Sequence, residues 1–210
     1  MSGLHSIMPA ICNSVAMLAI TGALFVCPSA SATTMDNLQT AYNGESNAHA
    51  RYVAFAKQAD KEGYGEVASL FRAAARAEEV HAMNHAAVIG ELGASAKADV
   101  QEPVVRSTRE NLEAAVKGES YERDTMYPDF LKQARSDRNT RAVRTLNLAK
   151  SAEAEHAKLY AAALSNLEQL KGSKSVTYYV CPVCGFTSRE TTFKACPSCF
   201  TSKDEFEKVA

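Results

Sequence analysis

The 210-residue chain has almost no excess charge of either sign: 23 Lys and Arg stand against 24 Asp and Glu, a formal net charge of −1. Its basic residues are dispersed and form no stripe, which argues against a nucleic acid as partner. It also lacks the composition of a disordered chain. With 46% hydrophobic and 22% charged residues it can build one good core and a small appendage. Cysteine is absent between residues 28 and 180; the six present are Cys12 and Cys27 near the start and four between 181 and 199.

Charge is missing altogether from Ile7 to Cys27, a mostly apolar run followed by Ala30-Ser31-Ala32, a small-x-small cleavage signal. Residues 1–32 therefore read as a signal peptide, and the protein as periplasmic or otherwise exported. No Lys or Arg precedes the run and no twin-Arg signal is present, so translation from Met35, leaving a complete cytoplasmic domain, is the alternative. A retained anchor is a smaller rival, since the run is barely long enough to span and holds Asn13 and Ser14. Val26 before Cys27 is a poor lipoprotein signal. Removing the leader discards Cys12 and Cys27 and leaves four cysteines in one pattern.

Strand-like alternation is absent from Leu38 to Leu170. Ala, Leu, Glu, Lys and Arg prevail there, with apolar residues every three or four positions, which predicts long amphipathic helices. Four are expected: 36–61, 66–92, 107–135 with a bend at Pro128, and 139–170, the last stopped by Gly172. A stretch from Ala94 to Pro103 is long enough to cross the bundle. The second half repeats the first: Gly44-Glu45-Ser46 recurs as Gly118-Glu119-Ser120, and Ala77-Glu78-Glu79-Val80-His81-Ala82 as Ala152-Glu153-Ala154-Glu155-His156-Ala157, at offsets of 74 and 75 residues. This is a duplicated helical hairpin.

Each helix has an inward stripe that is apolar except at its middle. The first runs Leu38, Tyr42, Glu45, Tyr52, Phe55; the second Val67, Phe71, Ala74, Glu78, His81, Val88. The third runs Leu112, Val116, Glu119, Glu122, Met126, Phe130, and the fourth Leu146, Ala149, Glu153, His156, Tyr160, Leu167. Glu45 and Glu78 lie equally far from the first turn, and Glu119 and Glu153 equally far from the second, so each hairpin holds its two acids level. Several carboxylates at one depth in an apolar bundle would cost several kcal/mol per ion unless a cation were present. One Glu from each of two helices and a Glu-x-x-His pair from each of the others is the ferritin-like di-iron pattern: Glu45, Glu119, Glu78 with His81, and Glu153 with His156. Glu79, Glu113 and Glu155 read as surface residues, and His49 and His85 as supporting or core histidines.

After a β-prone run from Val176 to Val180 come Cys181-Pro182-Val183-Cys184 and, eleven residues on, Cys196-Pro197-Ser198-Cys199. Two such knuckles form a tetrahedral thiolate cage for iron or zinc; two disulfides are the alternative.

Glu122 breaks the internal symmetry, its counterpart in the first repeat being Ala48. With Tyr52, Met126-Tyr127-Pro128 and the paired knuckles, it makes residues 36–208 resemble a rubrerythrin. The resemblance implies an all-α ferritin-like four-helix bundle over 36–172 and a small rubredoxin-like β/loop domain over 176–210. It implies two non-haem irons held by Glu45, Glu78, His81, Glu119, Glu122, Glu153 and His156. Glu122 would hold one iron when oxidised and His81 when reduced, with Tyr52 and Tyr127 supporting the ligands. A further iron would sit on Cys181, Cys184, Cys196 and Cys199, although Thr191, Thr192 and Phe193 depart from the usual loop and leave zinc possible.

The activity implied is peroxidase: hydrogen peroxide is reduced to water in oxidative stress protection, with electrons relayed through the four-cysteine iron. The donor would be a rubredoxin, a cytochrome or a reductase; for an exported protein it would be periplasmic, with metal loaded after secretion. In rubrerythrins the relay is made between subunits, which implies a homodimer. A ferroxidase or iron-handling protein, an oxygen-reducing di-iron protein, and a zinc-ribbon interaction protein are the alternatives.

Overall fold

The computed structural model describes residues 32–210, so the leader reading falls almost wholly outside it. Helix α1 (Thr34–Lys61) turns at Gly63, whose φ of 77° suits a residue without Cβ, into α2 (Gly65–Glu91). Helix α3 (Thr108–Tyr121), a π-helical turn (Glu122–Met126) and α4 (Tyr127–Ser136) form one arm of the second hairpin; α5 (Thr140–Ser165) forms the other. Capping boxes start both hairpins, Thr33 with Asp36 and Ser107 with Glu110. The bundle and the appended module are as the sequence leads one to expect.

The third helix differs from expectation. It is not a continuous helix bent at Pro128 but an α-helix interrupted by the π turn just before that proline. Proline lacks an N–H and its ring would clash with the carbonyl four residues back, which is Asp124, inside the turn; the extra residue removes the conflict. It also re-phases the helix, so that Glu119 above the turn, Met126 at its end, and Tyr127 and Leu131 below it all face the core. The fourth helix ends at Ser165, short of 170, where the Asn166 amide takes the Ala162 carbonyl at 2.8 Å and hydrogen-bonded turns run on to Gly172. Tyr42, Val116 and Phe130 are only partly buried.

The crossover between the hairpins is tied to α1 by a ladder of three amides one turn apart. Gln39 donates to Ser95 O (2.8 Å) and accepts from Lys97 N (3.2 Å); Asn43 accepts from Asp99 N (2.7 Å); Asn47 donates to Asp99 O (3.0 Å) and accepts from Gln101 N (2.9 Å).

Strands β1 (Tyr178–Val180), β2 (Thr187–Ser188) and β3 (Glu207–Val209) form an antiparallel sheet in the order β2-β1-β3. The sheet packs on α2 of the same chain. Arg76 holds Glu207 with two bonds of 2.6 and 2.8 Å, and Tyr178 and Val180 join the bundle's core. The connecting segment is hydrogen-bonded to the first turn, Gly172 N to Gly63 O (2.8 Å) and Gly65 N to Ser173 O (3.2 Å).

A Cβ on Gly65 would lie 2.6 Å from Ser173 O and 2.7 Å from the Lys174 carbonyl carbon, both backbone atoms that cannot swing away. Gly65→Ala is therefore expected to destabilise the chain by about 1–3 kcal/mol. Thermal unfolding followed by circular dichroism should show a Tm lowered by roughly 2–10 °C. An unchanged Tm would show that the connecting segment is not held against the turn.

Candidate metal centre

Glu45, Glu78, Glu119, Glu153 and His156 are each 0% exposed and His81 1%. Their donor atoms form two overlapping sets, Glu45, Glu78, His81 and Glu153 in one and Glu78, Glu119, Glu153 and His156 in the other, with all atoms of a set within 4.8 Å of one another. Glu78 and Glu153 belong to both. Each Glu-x-x-His glutamate would thus be shared by two ions, which spacing along one helix does not reveal, and Glu45 and Glu119 stand at the two ends.

His81 Nδ1 lies 2.9 Å from both Glu78 Oε2 and Glu153 Oε1. His156 Nδ1 lies 2.9 Å from Glu153 Oε2, 3.4 Å from Glu78 Oε1 and 3.7 Å from Glu119 Oε2. Despite this crowding, Glu45 Oε2, Glu78 Oε1, Glu119 Oε2, both Glu153 oxygens and His156 Nδ1 lack a partner in hydrogen-bonding geometry. Buried polar atoms that converge without bonding one another fit shared cations, because metal coordination satisfies lone pairs that no donor reaches. Oxygen and imidazole donors in this number suit a pair of divalent transition ions.

The electrostatics agree. Burial, then the charges of Glu78 and Glu153, drives the Glu45 carboxyl well above its usual range. Burial and Glu78 push Glu119 up to about 8. Burial would raise Glu78 too, but the His156 and His81 imidazoles beside it hold it well below the usual value. Burial disfavours a charged imidazole, yet Glu153 and Glu78 raise His81, and Glu119, Glu153 and Glu78 raise His156, well above the ordinary value. Without metal the site would have to share protons among its acids; with metal it gives them up.

Glu122 stands apart. It is partly exposed, on the π turn, and belongs to neither donor set, although burial and the charges of Glu45, Glu119 and Glu153 raise its carboxyl. The structure thus assembles six of the seven expected di-metal ligands, with His81 inside the group and Glu122 outside. Both expected tyrosines are in place: Tyr52 donates to Glu119 Oε1 at 2.5 Å, and Tyr127 donates to Glu45 Oε1. His85 lies behind Tyr127, its Nε2 3.1 Å from the Tyr127 hydroxyl and its Nδ1 3.1 Å from Thr145 Oγ1; burial lowers its pKa to about 3, so it is a neutral orienting group. His49 bonds the Ala75 carbonyl.

Cys181, Cys184 and Cys196 are buried, Cys199 half-buried, and none is in a disulfide. Cys181 Sγ is 3.5 Å from Cys199 Sγ and Cys184 Sγ 3.6 Å from Cys196 Sγ, close to the edge of about 3.8 Å that a tetrahedron with metal–sulfur bonds near 2.3 Å requires. Hydrogen bonding from Cys184 brings the Cys181 thiol down to about 5. This is a four-thiolate metal site, and the two-disulfide alternative is not what the fold holds.

The link between the two sites lies within one chain. His81 Nε2 donates to Cys184 O at 3.0 Å, and His156 Nε2 lies 3.1 Å from Thr187 Oγ1. Thr187, Thr145 and the Cys184 carbonyl were not singled out from sequence, and nothing in a lone threonine or a backbone carbonyl signals such a role. Tyr160, placed on a stripe as a core residue, has a buried hydroxyl without a partner.

Residues 36–164 match the Rubrerythrin family. The chain belongs to the rubrerythrin family. It is 38% identical to nigerythrin of Nitratidesulfovibrio vulgaris over 83% of this chain and 85% of that one. It is 38% identical to rubrerythrin-2 of Clostridium acetobutylicum over 84% of this chain and 96% of that one. Nigerythrin solved in its fully reduced, all-ferrous state superposes with a TM-score of 0.79 at 35% identity, covering 88% of this chain and 91% of that one. As a rubrerythrin-family oxidoreductase, this chain combines a carboxylate/histidine di-metal site with a rubredoxin-like four-cysteine site.

The raised carboxyl and imidazole values fix the sign of a pH effect. In metal-free protein Glu119 keeps its proton up to about 8, whereas the unfolded chain gives it up near 4.5, so stability falls as pH rises between the two. The contributions of His81 and His156 are likewise lost as pH rises through their raised values, while that of Glu78 is lost only on acidification. The Tm of metal-free protein should therefore fall by several degrees from about pH 5 to 9. That of metal-loaded protein should hold or rise, because metal displaces the protons. A metal-free Tm that climbs across this window would contradict the assignment.

Proposed function

We propose that this protein is a non-haem di-iron peroxidase that reduces hydrogen peroxide to water and is reset by electrons arriving through the four-cysteine centre. The observation that carries the reading is the direct hydrogen bond, 3.0 Å long, from His81 of the carboxylate site to the Cys184 carbonyl of the thiolate cage. A storage or ferroxidase site has no use for such a conduit, and a docking ribbon would not be joined to buried metal ligands. The all-ferrous nigerythrin structure supports iron as the metal.

Iron at both sites would supply the one-electron steps that sum to H2O2 + 2 H⁺ + 2 e⁻ → 2 H2O. The chain supplies the rest. Ligands that are at most 1% exposed keep bulk water away. Tyr52 and Tyr127 hold hydroxyl protons on Glu119 and Glu45, fixing one oxygen of each and leaving the other for metal. By the family resemblance, Glu122 would exchange with His81 as the site changes oxidation state, and its position beside the site on the π turn is compatible with that movement. A homodimer, an external one-electron donor and an exported location, the last supported by the uncharged Ile7 to Cys27 run, belong to the same proposal.

The test is stopped-flow absorbance of the iron-loaded, fully reduced protein mixed with hydrogen peroxide and separately with dioxygen. Peroxide is expected to oxidise both chromophores faster than dioxygen by about tenfold or more, a barrier difference of about 1.4 kcal/mol. Faster oxidation by dioxygen would make the protein an oxidase, and no thiolate-to-iron visible band would make the C-terminal module a zinc site.

A further inference from the structure

We infer that Thr187 is a positioning residue of the di-metal site, its hydroxyl receiving the Nε2 proton of His156 and so holding that imidazole with Nδ1 toward the metals. The inference rests on the di-metal reading and deepens it.

Both site histidines present Nδ1 to the carboxylates, so each must place its Nε2 proton elsewhere. His81 uses a main-chain carbonyl, Cys184 O, which any residue at position 184 would supply. His156 uses a side chain, Thr187 Oγ1 at 3.1 Å. Thr187 is fully buried, and its own proton is committed to Gly185 O at 3.0 Å, which leaves its lone pairs for His156. The rotor is held as well: Thr187 is β-branched and paired with Val180 in the sheet. The same short turn, residues 184–187, thereby holds both imidazoles, and the four-cysteine module serves as a jig for the di-metal site as well as an electron conduit.

The experiment compares full-length wild type, Thr187→Val and Thr187→Ser, all iron-loaded, by chelator competition at the di-metal site and by the visible thiolate band. Thr187→Val is expected to weaken metal retention by about 10- to 100-fold. Its thiolate band should not change, and Thr187→Ser should restore retention. A Thr187→Val protein that keeps its metals like wild type overturns the inference. Should Thr187→Val fail to fold, ¹⁵N NMR of the wild-type protein decides, metal-free and zinc-loaded alike. A slowly exchanging Nε2 proton on His156 in both forms supports the inference; a rapidly exchanging one, or a proton on Nδ1 with zinc bound, overturns it. Peroxide inertness with the Thr187→Val effect intact would sink only the peroxidase reading, whereas normal retention in a peroxide-active protein would sink only the role of Thr187.

Discussion

Four carboxylates lie at one level inside an apolar bundle, and most of what is unusual in this chain compensates for that. Removing such charges from water costs several kcal/mol each, and hydrophobic packing cannot offset it. The chain answers with two histidines facing the acids, two tyrosyl hydroxyls donating to the outer glutamates, and a set of lone pairs left for cations. Duplication of the hairpin is an economical route to this arrangement. It produces, from one motif, two glutamates, Glu78 and Glu153, that each belong to both donor sets.

Two departures from the hairpin repeat fall together on one arm. The first hairpin has Ala48 where the second has Glu122, and only the second has a π turn and Pro128. The turn and the proline are one feature, since the wider turn removes the clash the ring would make. Their common effect is to bring Tyr127 under Glu45 while leaving Glu122 at the margin, partly in contact with solvent. A π turn is a local excess of one residue in a helix and has less to lose from rearrangement than a regular turn. The one acid outside the donor sets is therefore carried by the least regular part of the bundle.

What the sequence makes legible follows from periodicity. The bundle, the level acids, the Glu-x-x-His pairs and the cysteine cage all repeat, and repetition can be read without coordinates. The π turn cannot, because a proline in a helical pattern is consistent with a bend, a break or a bulge. The amide ladder of Gln39, Asn43 and Asn47 escaped notice because amides at helical spacing ordinarily mark a solvated face. The sharing of Glu78 and Glu153 by both donor sets depends on how far helices stand apart, not on spacing within one. Thr187 is illegible for the same reason, since its partner His156 is 31 residues away on another element.

Residues 184–187 are where these constraints meet. Gly185 has a φ of 74°, which the turn after the first knuckle demands, and a Cβ there would run into the His81 ring. The glycine is thus needed twice, once for the thiolate cage and once for the approach of Cys184 O to Nε2. On its other side the turn passes into β2, which pairs with β1 and through it with β3, and Glu207 of β3 is gripped by Arg76 of α2. A metal closing the cage would stiffen this turn, and a stiff turn would hold both imidazoles. Any preference of one site for the ordered turn must be felt equally at the other, because the coupling between two binding equilibria is reciprocal. The two centres are joined mechanically by the same atoms that would join them electronically.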